Sequence, residues 1–464
     1  MKSAVILQCS LVALLGTATG CMTEQDQGRE PATGEERAPA APRDTAATGA
    51  PGDTADTTVV DTARSGPAET AFDALARSGL ARSAGSAPPQ IRGIYLNAYA
   101  AGSRNRLAQL LALADRTEIN TFVIDVKTEA GIHYTSDSEL ARSLAQPGHV
   151  TIGNLAALAD TLHAHDLHAI ARIVVFKDPI LSKANPAWSI RKPDGSLWRD
   201  KKGNTWVSPW NTDVWDYNVE IAREVVEAGF DEIQFDYVRF PEAFPSLPEQ
   251  VHPDAAGTKT EAIVTFLTRA RSRLHPLGGI VAADVFGLSP NDPRDVNIGQ
   301  QWEPILAVAD HVLPMVYPSH YFPTHLKGVP RPNRMPYETV FTSLGIGVIR
   351  ATRLADAGVQ PARVIPWLQA FSAPWVDRNF DYGPKQAEAQ IRGVYAVGLD
   401  DWIFWHPGSK YEQVAAAFEP SLSSRAVAFD PTDALLAAAD LIERAGIVDV
   451  RRKLAETLRA GEIR

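Results

Sequence analysis

Cysteine is almost absent: the chain of 464 residues holds Cys9 and Cys21 and no other. Both fall in the first 21 residues, so the rest of the chain has no disulfide framework, no CxxC zinc site and no thiol nucleophile. Basic charge is scarce beside acid, with 45 Lys+Arg against 55 Asp+Glu and a formal net charge of -10. Sequence-blind binding of nucleic acid needs a basic surface, so nucleic acid is not an expected partner. Neither GxGxxG nor GxxxxGK[ST] occurs, which leaves nucleotide cofactors without support, and no HExxH marks a metal site. No cofactor is therefore expected. What the chain does have is 45% hydrophobic residues, enough to bury a sizeable core, and a length that permits two or three domains.

The N-terminus reads as an export signal. Lys2 supplies a positive charge, Ala4 to Gly16 is largely apolar, and small residues lead to Cys21. The run is too short for a lasting membrane span. Ala18-Thr19-Gly20-Cys21 resembles a bacterial lipobox, with Ala18 where the pattern usually has Leu. Residues 1–21 are thus expected to be a signal peptide whose end delivers Cys21 for lipidation, giving an exported protein anchored to a membrane of a bacterial cell envelope. Acyl chains supply about 0.8 kcal/mol of membrane affinity per buried methylene, so several together anchor stably. From Pro31 to Thr70, 28 of 40 residues are Ala, Pro, Gly, Ser or Thr. That composition cannot offset its ordering entropy, so 22–90 is expected to be a disordered tether, with a short apolar patch at Phe72 to Leu80.

From Arg92 the texture changes to short β-branched and aromatic runs separated by longer stretches of helical periodicity, the pattern of parallel strands with crossover helices. Strands are expected at Gly93–Ala98, Thr121–Lys127, Ala169–Phe176, Glu232–Val238, Ile280–Phe286, His311–Tyr317, Val364–Phe371 and Leu399–Trp405. Helices are expected between them, among others at Arg104–Asp115, Ile152–His165, Val214–Glu227 and Glu261–Leu274. Eight βα units over 91–420 predict an α/β fold of the (β/α)8 TIM-barrel type. After Pro420, Asp430-Pro431 opens a helical appendage over 421–464, with apolar helical spacing at Leu435 to Ala445 and Val448 to Leu458.

A barrel places chemistry at the C-terminal ends of its strands. Alternation then decides which side chains point inward. Phe122, Ile124 and Val126 form an apolar helix-facing set, which sends Asp125 and Lys127 into the mouth. Ile233 and Phe235 leave Gln234 and Asp236 inside, and Ala283 and Val285 leave Asp284 inside. Three carboxylates converge, with Arg172 as a cation within reach. Such acids can also be packing elements paired with Lys127 or Arg172. The strand ends and loops are rich in aromatic rings, among them Tyr95, Tyr237, Tyr317, Trp367 and Trp405. Sugars present a C–H face that packs on such rings, while their hydroxyls need carboxylate, amide and basic partners. Acids and aromatics at a barrel mouth therefore suit carbohydrate. Asn97, Arg239 and Gln369 add polar groups, and Trp198 and Trp206 in the long Lys177–Trp210 excursion are expected to form a platform over the substrate. Trp402, inside a strand, is read as core.

The blocks Arg92-Gly93-Ile94-Tyr95, Phe122 to Lys127 with Glu129-Ala130-Gly131, Ala171-Arg172-Ile173, Phe235 to Pro241 and Met315 to Pro318 resemble the DUF4015 group of TIM-barrel glycosidases, over roughly Arg92 to Pro420. The resemblance implies a nucleophile or principal carboxylate at Asp236. It implies an acid at Asp284, where many relatives have Glu, while Glu129 and Glu242 are alternative proton donors. Glycoside cleavage needs one carboxylic acid to protonate the leaving oxygen and a carboxylate opposite, acting as nucleophile or as base on water. The expected activity is that of a glycosidase on an envelope or extracellular polysaccharide, with a monomeric protein. Two other classes remain open: a glycan-binding lipoprotein without turnover, and, ranked last, a hydrolase with a divalent metal on Asp125, Asp236, Asp284 and His320 or His406.

Overall fold

The computed structural model describes residues 87–419 and 426–462. The export signal, Cys21 and nearly all of the tether, including its apolar patch, lie outside the described residues. Among the described residues no helix is long and apolar enough to cross a membrane.

Eight parallel strands form a closed barrel: β1 (Arg92–Leu96), β2 (Thr121–Thr128), β3 (His168–Val174), β4 (Glu232–Asp236), β5 (Ile280–Phe286), β6 (His311–Met315), β7 in two pieces (Arg363–Val364 and Trp367–Gln369) and β8 (Trp402–Trp405). Each pairs with the next, and β8 returns to β1 with Arg92 opposite Trp402 and Ile94 opposite Phe404. The sequence predicts β7 as one run, but it breaks before Trp367. Pro366 has no N–H to offer the ladder there. The eighth strand starts three residues later than its apolar run suggests. Asp401 ahead of it turns its carboxylate to the backbone N of Ile91 and to Arg363.

The crossovers are α1 (Arg104–Ala114), α2 (Leu155–His163), α3 (Thr212–Glu227), α4 (Lys259–Leu274), α5 (Trp302–Val308), α6 (Pro336–Asp356) and α7 (Pro384–Ala396). Their starts follow capping chemistry: Ser103, Asn154 and Asn211 each accept the N–H three residues on, and Thr258 with Glu261 makes a capping box. After β8 a 3-10 turn, Ala415–Phe418, stands in place of an eighth helix, and Phe418 stacks on Trp402. Trp402 is thus helix-side core.

Strand alternation divides the apolar residues into two cores. Phe122, Ile124, Val126, Ile233, Phe235, Ala283 and Val285 pack outward against the helices. Val123, Ile170, Ala282, Leu313, Ile365 and Ile403 fill the barrel interior, a plug beneath the mouth. At the opposite, N-terminal end, buried Glu232 accepts from His168 and His311 at 3.1 and 2.9 Å. The loop after β5 is fastened by a fully buried pair, Arg350 on Glu303, whose guanidinium also donates to the carbonyls of Ser289, Pro290 and Asp292. Beyond the barrel, α8 (Asp433–Ile442) lays Leu435, Ala439 and Ile442 on Ile346 and Ile349 of α6. Gly345 permits that approach, since a Cβ there would stand 2.8 Å from Leu435 Cδ1. A turn at Gly446, left-handed at φ +108°, leads to α9 (Val448–Glu462), and buried Leu454 and Ala455 join the helix-side core.

Candidate active site

Asp236 is the last residue of β4, and alternation sends it inward. Its Oδ2 accepts from Arg172 of β3, at 2.9 Å from Nε and 2.5 Å from Nη2. Oδ1 accepts the backbone N–H of Tyr237 at 2.5 Å. Directly after the strand, Tyr237 carries a left-handed φ of +49°. For a bulky non-glycine residue such a conformation costs about 1–2 kcal/mol and persists where the surroundings over-determine it.

The other face of Arg172 serves a second acid. Nη1 donates to Asp125 Oδ1 at 2.5 Å, and Asp125 Oδ2 accepts the hydroxyl of Tyr95 at 2.5 Å. Tyr95, Asp125, Arg172 and Asp236 thus form one hydrogen-bonded chain across β1 to β4. Burial opposes the Arg172 charge, but Asp125 and Asp236 together hold its pKa well above the ordinary value. At Asp125 burial wins over Arg172 and Tyr95, and the carboxyl is pushed upward.

Asp284 of β5 differs in kind. It is 1% exposed, Oδ1 accepts Trp367 Nε1 at 2.7 Å, and Oδ2 has no hydrogen-bond partner among the described residues. Burial first, and then the charge of Asp236, push its pKa well above the carboxylate range. Gln234 pairs with Ala282 and Phe235 with Ala283, so Asp236 ends its strand level with Asp284 on the next. Tyr317 closes this side; its hydroxyl is raised well above normal by burial and by the two acids, which keeps it a donor.

The opposite half of the mouth is aromatic. Trp405 packs at 6.1 Å from Tyr95, 5.7 Å from Tyr317 and 5.2 Å from Phe371, and Tyr95 meets Trp367 edge-on at 6.4 Å. Acids and a guanidinium on β2 to β5 therefore face rings on β6 to β1.

A family model described as "Putative glycosyl hydrolase domain", DUF4015, matches residues 93–411. The chain belongs to the DUF4015 family. A hypothetical protein from Ruminiclostridium thermocellum is 38% identical over 42% of this chain and 97% of its own, with a TM-score of 0.38. The PgaB (BpsB) glycoside hydrolase domain from Bordetella bronchiseptica superposes with a TM-score of 0.53 at 16% identity, covering 72% of this chain and 99% of its own, a likeness of fold. The α-galactosidase TtGalA from Thermus thermophilus covers 76% of this chain and 64% of its own at 15% identity, with a TM-score of 0.43. No curated protein matches.

In this DUF4015 barrel several side chains stand elsewhere than the sequence suggests. Lys127 is turned out of the mouth. β2 slips register between Asp125 and Lys127, a bulge that re-aims the lysine, and the fully buried ammonium donates to Val174 O at 2.6 Å and pairs with Asp178 at 2.8 Å. Trp198 and Trp206 are 0% and 1% exposed and present no face to a sugar. The excursion after β3 folds over them: Ser189 bridges Val207, Arg191 bridges Val251 from the loop after β4, and Trp198 Nε1 donates to Pro248 O. Their replacement by Ala should therefore lower stability by about 3–5 kcal/mol each. A denaturant midpoint unchanged in both variants would show that the rings are not core.

Three more polar candidates are engaged by the scaffold. Asn97 caps the short helix Ala98–Gly102 and donates to Pro407 O. It borders an open rim cavity of ≈ 610 Å³ shared with Tyr99, Arg106, Lys410 and Glu412, and Asp125, Asp236 and Asp284 are not among its lining. Gln369 accepts the backbone N–H of Ser319 at Oε1 and donates from Nε2 to Phe371 O. Arg239 donates to Phe240 O and Glu242 and packs over Trp206 and Phe286. Tyr237 is half-buried, with Lys177 4.6 Å over its ring. Of the alternative donors, Glu242 pairs with Arg239 at 3.1 Å and Glu129 with Lys177 at 3.3 Å. Burial holds the imidazoles of His320 and His406 down at about 4. Among the described residues no three His, Cys, Asp or Glu side chains are grouped to hold a metal ion.

Proposed function

We propose that this DUF4015 protein is an exported glycoside hydrolase that cleaves an envelope or extracellular polysaccharide with Asp236 and Asp284. The observation carrying the proposal is the unequal environment of two acids at one level of adjacent strands. Asp236 sits in an ion pair with Arg172, and Asp284 is buried, with no hydrogen-bond partner for Oδ2 among the described residues. A carboxylate ready to attack or to activate water thus lies beside a carboxylic acid that holds its proton. Neighbouring strands run about 4.8 Å apart, compatible with the separation of about 5–5.5 Å found in retaining enzymes, and in this reading Asp236 is the nucleophile and Asp284 the acid and then base. Tyr95 and Asp125 hold Arg172 in place. Tyr317 and Trp405 offer rings to the sugar.

Reducing-end release from a panel of envelope and capsule polysaccharides tests the activity. The wild-type protein should release reducing ends from at least one; a protein that binds glycan and releases none is a binding lipoprotein instead. For location, the lipobox-like Ala18 to Cys21 supports a lipid-anchored monomer tethered ahead of its barrel. Cys21→Ser should move the protein from the membrane fraction to the soluble one, and unchanged partitioning would refute the anchor.

A further inference from the structure

The ring cluster of the mouth does not stop at Trp405. Phe371, just after β7, is buried and meets Trp405 edge-on at 5.2 Å and Tyr317 at 6.1 Å. On its outer side lies Trp375, nearly parallel at 16° with centroids 6.0 Å apart, and Trp375 is 47% exposed. A single exposed aromatic is ordinary on a protein surface and by itself means little. Three features set this one apart. One face of the indole rests on a buried ring, which leaves the other to solvent. The loop is held in place: Val376 N and Asp377 N both donate to Ala373 O, and the Asp377 carboxylate takes Arg334 Nε at 2.5 Å. The nearby Arg334 guanidinium lies over Phe380 at 5.2 Å. The open face is therefore preorganised, apolar and continuous, through Phe371, with the rings beside the acids.

We propose that Trp375, backed by Phe371, is a second sugar platform, binding one residue of a polysaccharide whose neighbouring residues occupy the mouth. The proposal rests on the carbohydrate part of the function above and not on turnover. A pyranose ring shields its C–H face from water by stacking on the indole and leaves its hydroxyls solvated, the arrangement an exposed but rigid ring suits. The substrate is accordingly a chain longer than the unit being cleaved, and small aryl glycosides do not reach the platform.

The test uses native gels cast with soluble amylose, laminarin, xylan, galactomannan or partly deacetylated chitin, comparing the wild-type protein with Trp375→Ala and Trp375→Phe. At least one polymer should retard the wild type. On that polymer Trp375→Ala should bind about tenfold more weakly, and Trp375→Phe, which keeps a ring, should stay close to wild type. Thermal stability should be unchanged in both. Equal retardation of Trp375→Ala and wild type would overturn the platform, as would failure of every polymer to retard the wild type. Retardation that depends on Trp375 in a protein releasing no reducing ends would support the platform and overturn the glycosidase assignment instead.

Discussion

Asp236→Asn should abolish turnover while leaving glycan bound. The substitution keeps the shape of the side chain and an oxygen to accept from Arg172, which retains its second partner in Asp125. The fold is therefore expected to survive. What disappears is the negative charge of the acid that shares Arg172 with Asp125 and ends its strand beside Asp284. Loss of a nucleophile from a working site costs about four orders of magnitude or more in kcat. The change also reaches Asp284. Asp236 is the second contributor, after burial, to the raised proton affinity of Asp284. Removing that charge should bring the Asp284 carboxyl down, so any residual activity should lose its alkaline limb at a lower pH than the wild type. Isothermal binding of polysaccharide beside reducing-end release reads both effects. Normal turnover in Asp236→Asn would remove this residue from the chemistry.

The acids were legible in the sequence because strand alternation depends on period alone. Phe122-Val123-Ile124-Asp125, Ile233-Gln234-Phe235-Asp236 and Ala282-Ala283-Asp284-Val285 each sort into helix-facing and inward sets with no knowledge of a partner strand. The closure of eight strands followed from the same regularity. Lys127 shows where the rule ends. Asp125-Val126-Lys127 alternates in sequence, but the bulge exists only in the pairing with Arg172 and Ile173, so nothing local reveals that the ammonium turns to Asp178. Trp198 and Trp206 fail differently. A polar loop rich in Trp reads as a platform, whereas their burial depends on Pro248 and Val251, some 50 residues further along in another loop. Gln369 points inward as its strand position requires, yet two backbone groups consume its amide. Trp367 was legible as a ring at a strand end; its N–H on Asp284 required the barrel to be closed.

Asp284→Asn should separate substrates by their leaving groups. A poor leaving group departs only if its oxygen is protonated as the bond breaks, and loss of a general acid costs about 10² to 10⁴ in rate. A nitrophenolate needs little such help, so aryl glycosides should lose about tenfold or less. The wild-type acid holds its proton because burial and Asp236 both disfavour its charge. In the proposed role it donates its proton below its raised pKa, and activity on natural glycans should be lost as pH rises through that pKa. Asn, which cannot titrate, should flatten that limb. Stability changes with pH in the same direction as activity. A group with a raised folded-state pKa contributes fully below its unfolded value, about 3.9 for Asp, and that contribution is lost as pH rises toward the folded value. Asn keeps an oxygen for Trp367 Nε1 without that loss, so the melting temperature of Asp284→Asn at neutral pH should equal or exceed the wild type, with the difference growing as pH rises. Equal rate losses on aryl and natural glycosides would assign the proton donor elsewhere, with Glu129 beside Lys177 the next acid to replace.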